Sequence, residues 1–217
     1  ITLHVNIAKI LSLTEKIASS VCLRIKNDGE TVKEQTFPIS FMAYNQWHGT
    51  DSYPQLLSSF ITPNHPCIAP IVKRASEQMF RLTGSTSFGG YSCGYKEIVC
   101  QQIKAIYQAL SEEGISYSLS APSFEETGQR IRLACDVVND KLGNCMDLTL
   151  LFAACLEYIG LNTLLVLEQS HIYLGVWLVP DSHIRSVDDD MTFLLKKTAE
   201  GIDDILVIES TSFSQVD

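Results

Sequence analysis

Gly143-Asn144-Cys145-Met146-Asp147-Leu148 sets a thiol at the opening of an apolar helical pattern that runs over Met146–Ile159 and ends at Gly160. In the first turn of a helix, unpaired N–H groups and the positive end of the dipole favour a thiolate and can bind an oxyanion. Cys145 is therefore a candidate nucleophile, with Gly143 allowing close approach. The plain alternative is a buried structural cysteine, for which Cys155 on the same helix is the natural comparison. His171 follows the polar Glu168-Gln169-Ser170 and opens the apolar run Ile172–Leu178. There an imidazole can reach a helix start and take a thiol proton, or it can be an ordinary half-buried histidine paired to backbone. His183, in a polar Pro-Asp-Ser-His turn, is the poorer base. Glu209 ends the apolar run Ile205–Ile208. A carboxylate in that position either has reached solvent or needs a partner, and an imidazole N–H is the partner that catalysis would use. The backbone N–H of Cys145 is one candidate oxyanion donor. Gln129 or Asn144 offers a second through a side-chain amide, with capping or loop pairing the alternative for Gln129.

These residues need elements to hold them. Helical spacing is expected over Ile68–Phe80, over Ile98–Leu110 with a stop at Gly114, over Gln129–Lys141 and over Met146–Ile159. Thr163–Leu167, Ile172–Leu178 and Ile205–Ile208 have the length and branched residues of strands. Residues 1–43 alternate like strands: Ile1, Leu3 and Val5, then Val21, Leu23 and Ile25, then Thr31–Phe37 and Ile39–Met42 after a turn at Asn27-Asp28-Gly29. Such a small sheet needs a partner layer, and its abrupt entry at Ile1 suggests that more strands precede it. The expected organisation is α+β: a strand unit over 1–43, a helical and loop connector over 44–94, and the unit bearing the candidate site over 95–217. Trp47, bordered by Tyr44 and Gln46, is expected to pack between the strand unit and the later one.

With 16 Lys and Arg against 25 Asp and Glu, the formal charge is −9. That opposes phosphate attraction, and no basic cluster offsets it, so direct nucleic-acid binding by these residues is not expected. No apolar run reaches a membrane span and no leader pattern opens the chain, so a cytoplasmic protein without membrane contact is expected. Seven cysteines, an odd number with no CxxC pair, fit reduced thiols better than a disulfide framework. No two Cys or His residues have metal-hand spacing, so neither a metal site nor a cofactor is expected. The Gly-rich stretch Thr83–Gly94 lacks the Gly-Lys-Ser/Thr of a phosphate loop, so no ATPase activity is expected.

Gly-Asn-Cys-Met-Asp-Leu, then Ala153-Ala154-Cys155-Leu156-Glu157-Tyr158-Ile159-Gly160-Leu161, His171 heading a Tyr/Trp strand, and Glu209-Ser210-Thr211 resemble the transglutaminase-like branch of the papain-like cysteine fold. Ile115-Ser116-Tyr117 after the first helix of the region matches its layout, and the likeness covers about Tyr95 to Asp217. The resemblance implies a Cys-bearing helix packed on an antiparallel sheet, with Cys145, His171 and Glu209 as the catalytic set. Met146 departs from the aromatic found after the Cys in many members, and Glu209 stands where an Asp is usual.

Ala43-Tyr44-Asn45-Gln46-Trp47-His48-Gly49, Leu56–Pro66, Gly128-Gln129-Arg130-Ile131-Arg132 and Cys145–Leu161 carry a second likeness. Taken in order they resemble the amino-terminal region of very large bacterial helicase-like proteins. In those, a β-sandwich and a transglutaminase-like unit precede a superfamily-one helicase and often a very-short-patch-repair-like endonuclease, and some are associated with phage defence. This implies a piece of a longer chain whose first strands finish a β-sandwich, and Ile1 in place of an initial Met supports the expectation of a longer chain. Its partners would be a peptide or protein segment in the groove and the helicase and nuclease domains of the same chain. The functional expectation is a cysteine hydrolase or acyl-transferase acting on peptide or amide bonds. The competing one is a non-catalytic module that binds protein or regulates the helicase.

Overall fold

The computed structural model describes residues 6–118 and 128–214, so the alternation over Ile1–Val5 lies outside the described residues. The chain is α+β and divides into two units between Gln46 and Trp47.

The first unit contains a short helix, α1 (Ile7–Leu11), and an antiparallel ribbon of β1 (Ile17–Asn27) and β2 (Glu30–Phe41). Asn27 pairs with Glu30, which leaves Asp28-Gly29 as a two-residue loop with φ of 49° and 88°. Positive φ at both positions matches the right-handed twist of the strands, the geometry for which Asp-Gly is suited. Thr31–Phe37 and Ile39–Met42, read as separate strands, are joined: β2 runs through Pro38, which pairs with Ser20. A two-stranded ribbon has only edges, so the missing proline N–H need not break a ladder.

After β3 (Gln46–Trp47) and a 3-10 turn over Pro54–Phe60, the second unit contains α2 (Ile68–Thr83), α3 (Lys96–Ser111), β4 (Ser116–Tyr117), β5 (Gln129–Arg130) and α4 (Ala134–Asp140). It continues with β6 (Leu142–Gly143), α5 (Cys145–Tyr158), β7 (Thr163–Glu168), β8 (His171–Trp177), α6 (Thr192–Lys197) and β9 (Ile205–Ile208). Strands β7, β8 and β9 form an antiparallel sheet with β8 in the centre. Every residue of α5 from Met146 to Leu156 is buried, as befits a helix that is apolar all round. It packs against α2, α3, α4, β7 and β8. Phe152 meets Tyr107 of α3 and Phe213 edge-on, with ring centroids 5.9 Å away in each case. Helix α2, which lies within the stretch expected to be a connector, contributes Ile68, Ile71, Val72 and Ala75 to the same core. The Gly-rich loop before α3 is pinned by Gln102, whose side chain accepts the Gly90 N–H and donates to the Gly90 carbonyl.

The helix expected over Gln129–Lys141 is shorter, and the correction has a physical cause. Gly128 sits at φ +74° against the Trp47 carbonyl, where a Cβ would come within 2.2 Å. Gln129–Arg130 is extended, and the Arg132 N–H donates to Asp147 of α5 rather than to a helical carbonyl. Helix geometry begins only at Ala134. Trp47 is buried with Leu57, Ile131, Met146, Leu150 and Ile172 in a second cluster inside its own unit, and its indole N–H donates to the Tyr53 carbonyl. Among the described residues no helix is long and apolar enough to cross a membrane.

Candidate active site

Cys145 is the first residue of α5, and the turn ahead of it is tightly built. The Asn144 side chain accepts the Asp147 N–H at 3.0 Å, and the Asp147 carboxylate accepts the Asn144 N–H at 3.1 Å, a reciprocal capping box. The same carboxylate receives the Arg132 N–H at 2.9 Å and its guanidinium at 3.1 Å. Burial raises the Asp147 pKa, and these donors pull against that rise. Gly143 is needed for packing: a Cβ would stand 3.0 Å from the Leu148 side chain and 3.3 Å from Val137. Close approach of another backbone or a substrate was the expectation; the close neighbours in the structure are these two side chains, from α5 and α4.

Strand β4 pairs in parallel with β6, Tyr117 opposite Gly143, and this brings Tyr117 to Cys145. The two side chains stand near enough for each to act on the other's ionisation. Burial is the main cause of a raised pKa for both groups. For Cys145, Tyr117 and the Met146 N–H lower the pKa, whereas the charges of Asp147 and Glu209 raise it further. The helix terminus expected to favour a thiolate is thus opposed by desolvation and two carboxylates, a balance that raises the Cys145 pKa and favours the thiol form. Cys155, the comparison cysteine, is completely buried and its pKa is driven upward by that burial.

His171 opens β8 opposite Glu168, and its ring stands edge-on to Tyr173 at 4.7 Å. Extending the β8–β9 register places Glu209 beside Tyr173, on the sheet face shared by His171. The His171 Nε2 and Glu209 Oε2 are 2.5 Å apart. The other Glu209 oxygen accepts both the N–H and the hydroxyl of Thr211, each at 2.7 Å. Burial pushes the Glu209 pKa up, but the Thr211 donors and His171 more than offset it, and the net shift is downward. An ionised carboxylate can only accept, so Nε2 carries the hydrogen and Nδ1 holds the lone pair of the neutral ring. The His171 and Glu209 side chains retain 25% and 34% of their exposure, so solvent reaches this pair.

Glu209 is the link between the two halves, bonded to His171 and near enough to Cys145 to act on its ionisation. Among the described residues the thiol and the imidazole share no hydrogen bond; Tyr117 and the Met146 N–H are the groups that lower the Cys145 pKa. Asn144 is engaged in the cap through its side-chain oxygen. Gln129 lies buried on β5, three residues ahead of the Arg132 contact to α5. His183 pairs with Asp188 at 3.0 Å, a contact separate from the site. Tyr117 and Arg132 are the residues whose place at the site sequence reasoning missed. Arg132, in the Gly-Gln-Arg-Ile-Arg stretch, was open to notice as a basic residue near a capping aspartate; Tyr117 carried no signal beyond its position after a helix.

No protein-family model, no curated protein and no solved structure matches the chain.

Proposed function

We propose that the second unit is a transglutaminase-like cysteine hydrolase or acyl-transferase domain acting on peptide or amide carbonyls, with a papain-like core. The observation that carries this reading is the His171–Glu209 pair at 2.5 Å, with the carboxylate clamped by Thr211 and its charge felt at Cys145. In the proposed reaction His171 Nδ1 takes the Cys145 proton as sulfur attacks the carbonyl, and Glu209 stabilises the imidazolium. The imidazolium then returns the proton to the leaving amine. Water or a second amine, deprotonated by the same nitrogen, resolves the thioester. For the oxyanion, the Cys145 N–H is the proposed backbone donor. The likeness to the amino-terminal region of bacterial helicase-like proteins supports a setting beside helicase and nuclease domains, with a protein segment as substrate.

The test is labelling with a peptidyl vinyl sulfone, read residue by residue by mass spectrometry. Cys145 is expected to label faster than the exposed Cys22 and Cys93, and His171→Ala is expected to remove that advantage. Equal labelling of Cys145 in the two proteins would end the nucleophile reading.

A second reading, a non-catalytic module that binds a protein segment in the same groove, is favoured by one observation. The thiol shares no hydrogen bond with the imidazole among the described residues, and burial raises its pKa. It requires that Cys145→Ala leave the biological phenotype of the intact protein unchanged at normal abundance.

A further inference from the structure

Away from the candidate site, His65, Cys67 and Cys135 bring one donor atom each to a common point, all within 4.8 Å of one another. His65 and Cys67 lie in the turn ahead of α2; Cys135 comes from the first turn of α4. The His65 Nδ1 stands 3.2 Å from the Cys67 sulfur. Tetrahedral zinc, with Zn–S near 2.3 Å and Zn–N near 2.0–2.1 Å, places its donors roughly 3.5–3.8 Å apart. The three atoms are therefore close to a ligand triangle before any ion arrives.

The surroundings fit a ligand set better than chance packing. The Cys67 N–H reaches His65 Nδ1 at 3.4 Å, so that nitrogen acts as the acceptor and Nε2 carries the hydrogen, which is the tautomer that binds through Nδ1. Turn bonds fix the backbone: His65 N–H to the Thr62 carbonyl at 3.1 Å, and Ile68 N–H to the His65 carbonyl at 3.0 Å. Pro63 and Pro66 stiffen the same loop. The Asn139 amide donates to the Cys135 sulfur at 3.6 Å, the kind of outer contact that orients a thiolate ligand. All three side chains are half-buried, open enough for an ion to enter.

We infer that His65, Cys67 and Cys135 form a zinc site of one nitrogen and two sulfurs, with a fourth position for water or an exogenous ligand. Binding replaces each S–H bond with a metal–sulfur bond and releases both protons to solvent. Two thiolates neutralise the dication, so the half-buried site gains no net charge. The ion would tie the turn before α2 to α4, two elements that both pack on the Cys145 helix. The expectation of no metal rested on chain spacing: His65 and Cys67 stand two residues apart, but Cys135 is distant in the chain and joins them only in the fold.

The test uses the reduced, chelator-treated 217-residue chain with Co²⁺ as spectroscopic probe and Zn²⁺ as competitor. One Co²⁺ per chain is expected, with tetrahedral ligand-field bands and a thiolate charge-transfer band that Zn²⁺ displaces. The charge-transfer band should be abolished in the Cys67→Ser, Cys135→Ser double variant and kept in Cys22→Ser and Cys93→Ser. Asn139→Ala should weaken Zn²⁺ binding by about 10-fold. If the double variant fails to fold, footprinting of the wild-type chain decides: Zn²⁺ must protect Cys67 and Cys135 from iodoacetamide and leave Cys22 and Cys93 reactive. Absence of the band, its survival in a folded double variant, lack of protection, or a Cys67–Cys135 disulfide forming in air despite excess Zn²⁺ would each overturn the proposal.

Discussion

Tyr117 and Cys145 act on each other's ionisation: the phenol lowers the Cys145 pKa, while burial raises the pKa of both groups. One hydroxyl thus bears on the charge of the candidate nucleophile. Removing it exposes that effect. Tyr117→Phe deletes a contact that lowers the Cys145 pKa, so that pKa should move further up. The rate of iodoacetamide labelling at Cys145, followed against pH, should show its inflection shifted to higher pH. An unchanged or lower inflection contradicts the assigned direction.

Glu209 titrates below the ordinary carboxylate range, its burial outweighed by Thr211 and His171. A carboxylate depressed in the fold stabilises it above the unfolded value of roughly 4.3 and loses that contribution as pH falls through the lower, folded value. Urea denaturation at a series of acidic pH values should show this loss in wild type and a flatter profile in Glu209→Gln. Identical profiles would mean that the His171–Glu209–Thr211 contacts add nothing to folding.

Asp147 is buried yet accepts from the Asn144 N–H, the Arg132 N–H and the Arg132 guanidinium. Asp147→Ala leaves buried donors unpaired and undoes the cap of α5. A loss of about 3 kcal/mol is expected from chemical denaturation, with Arg132→Ala costing less because its side chain is partly exposed.

Gly128 combines φ +74° with a Trp47 carbonyl 2.2 Å from where a Cβ would lie. Gly128→Ala should cost at least ~2 kcal/mol, because an L-residue is strained at that φ and the clash is with backbone, which cannot swing aside. Thermal unfolding compares it with Gly84→Ala, where φ is +77° but nothing lies within 4 Å. The smaller loss should be at Gly84.

Local chemistry was the part of this fold written in the sequence. Asp28-Gly29 specifies its turn through two positive φ angles, and the apolar run after Asn144 specifies a buried helix. His171 and Glu209 were legible as residues at strand boundaries because an apolar run that meets a charge marks where the sheet ends. The stretch after Gly128 was misread because Ile131, Ala134 and Val137 repeat at helical spacing. The decisive contact, Arg132 to Asp147, is a tertiary one that no local pattern encodes. Tyr117 was hidden for a related reason: it reaches Cys145 through strands of two residues each, too short to leave a periodic trace.

The burial of α5 on all sides has a further consequence for how the site could work. A nucleophile mounted on the central helix cannot advance or rotate without moving the packing around it, whereas His171 and Glu209 stand on a wetted rim where a side chain can turn at little cost. The sulfur is the anvil and the imidazole the hammer. Under the proposed reaction the ring, not the sulfur, would make the move that brings base and nucleophile together, so the adjustable half of the machinery is the half that solvent already touches.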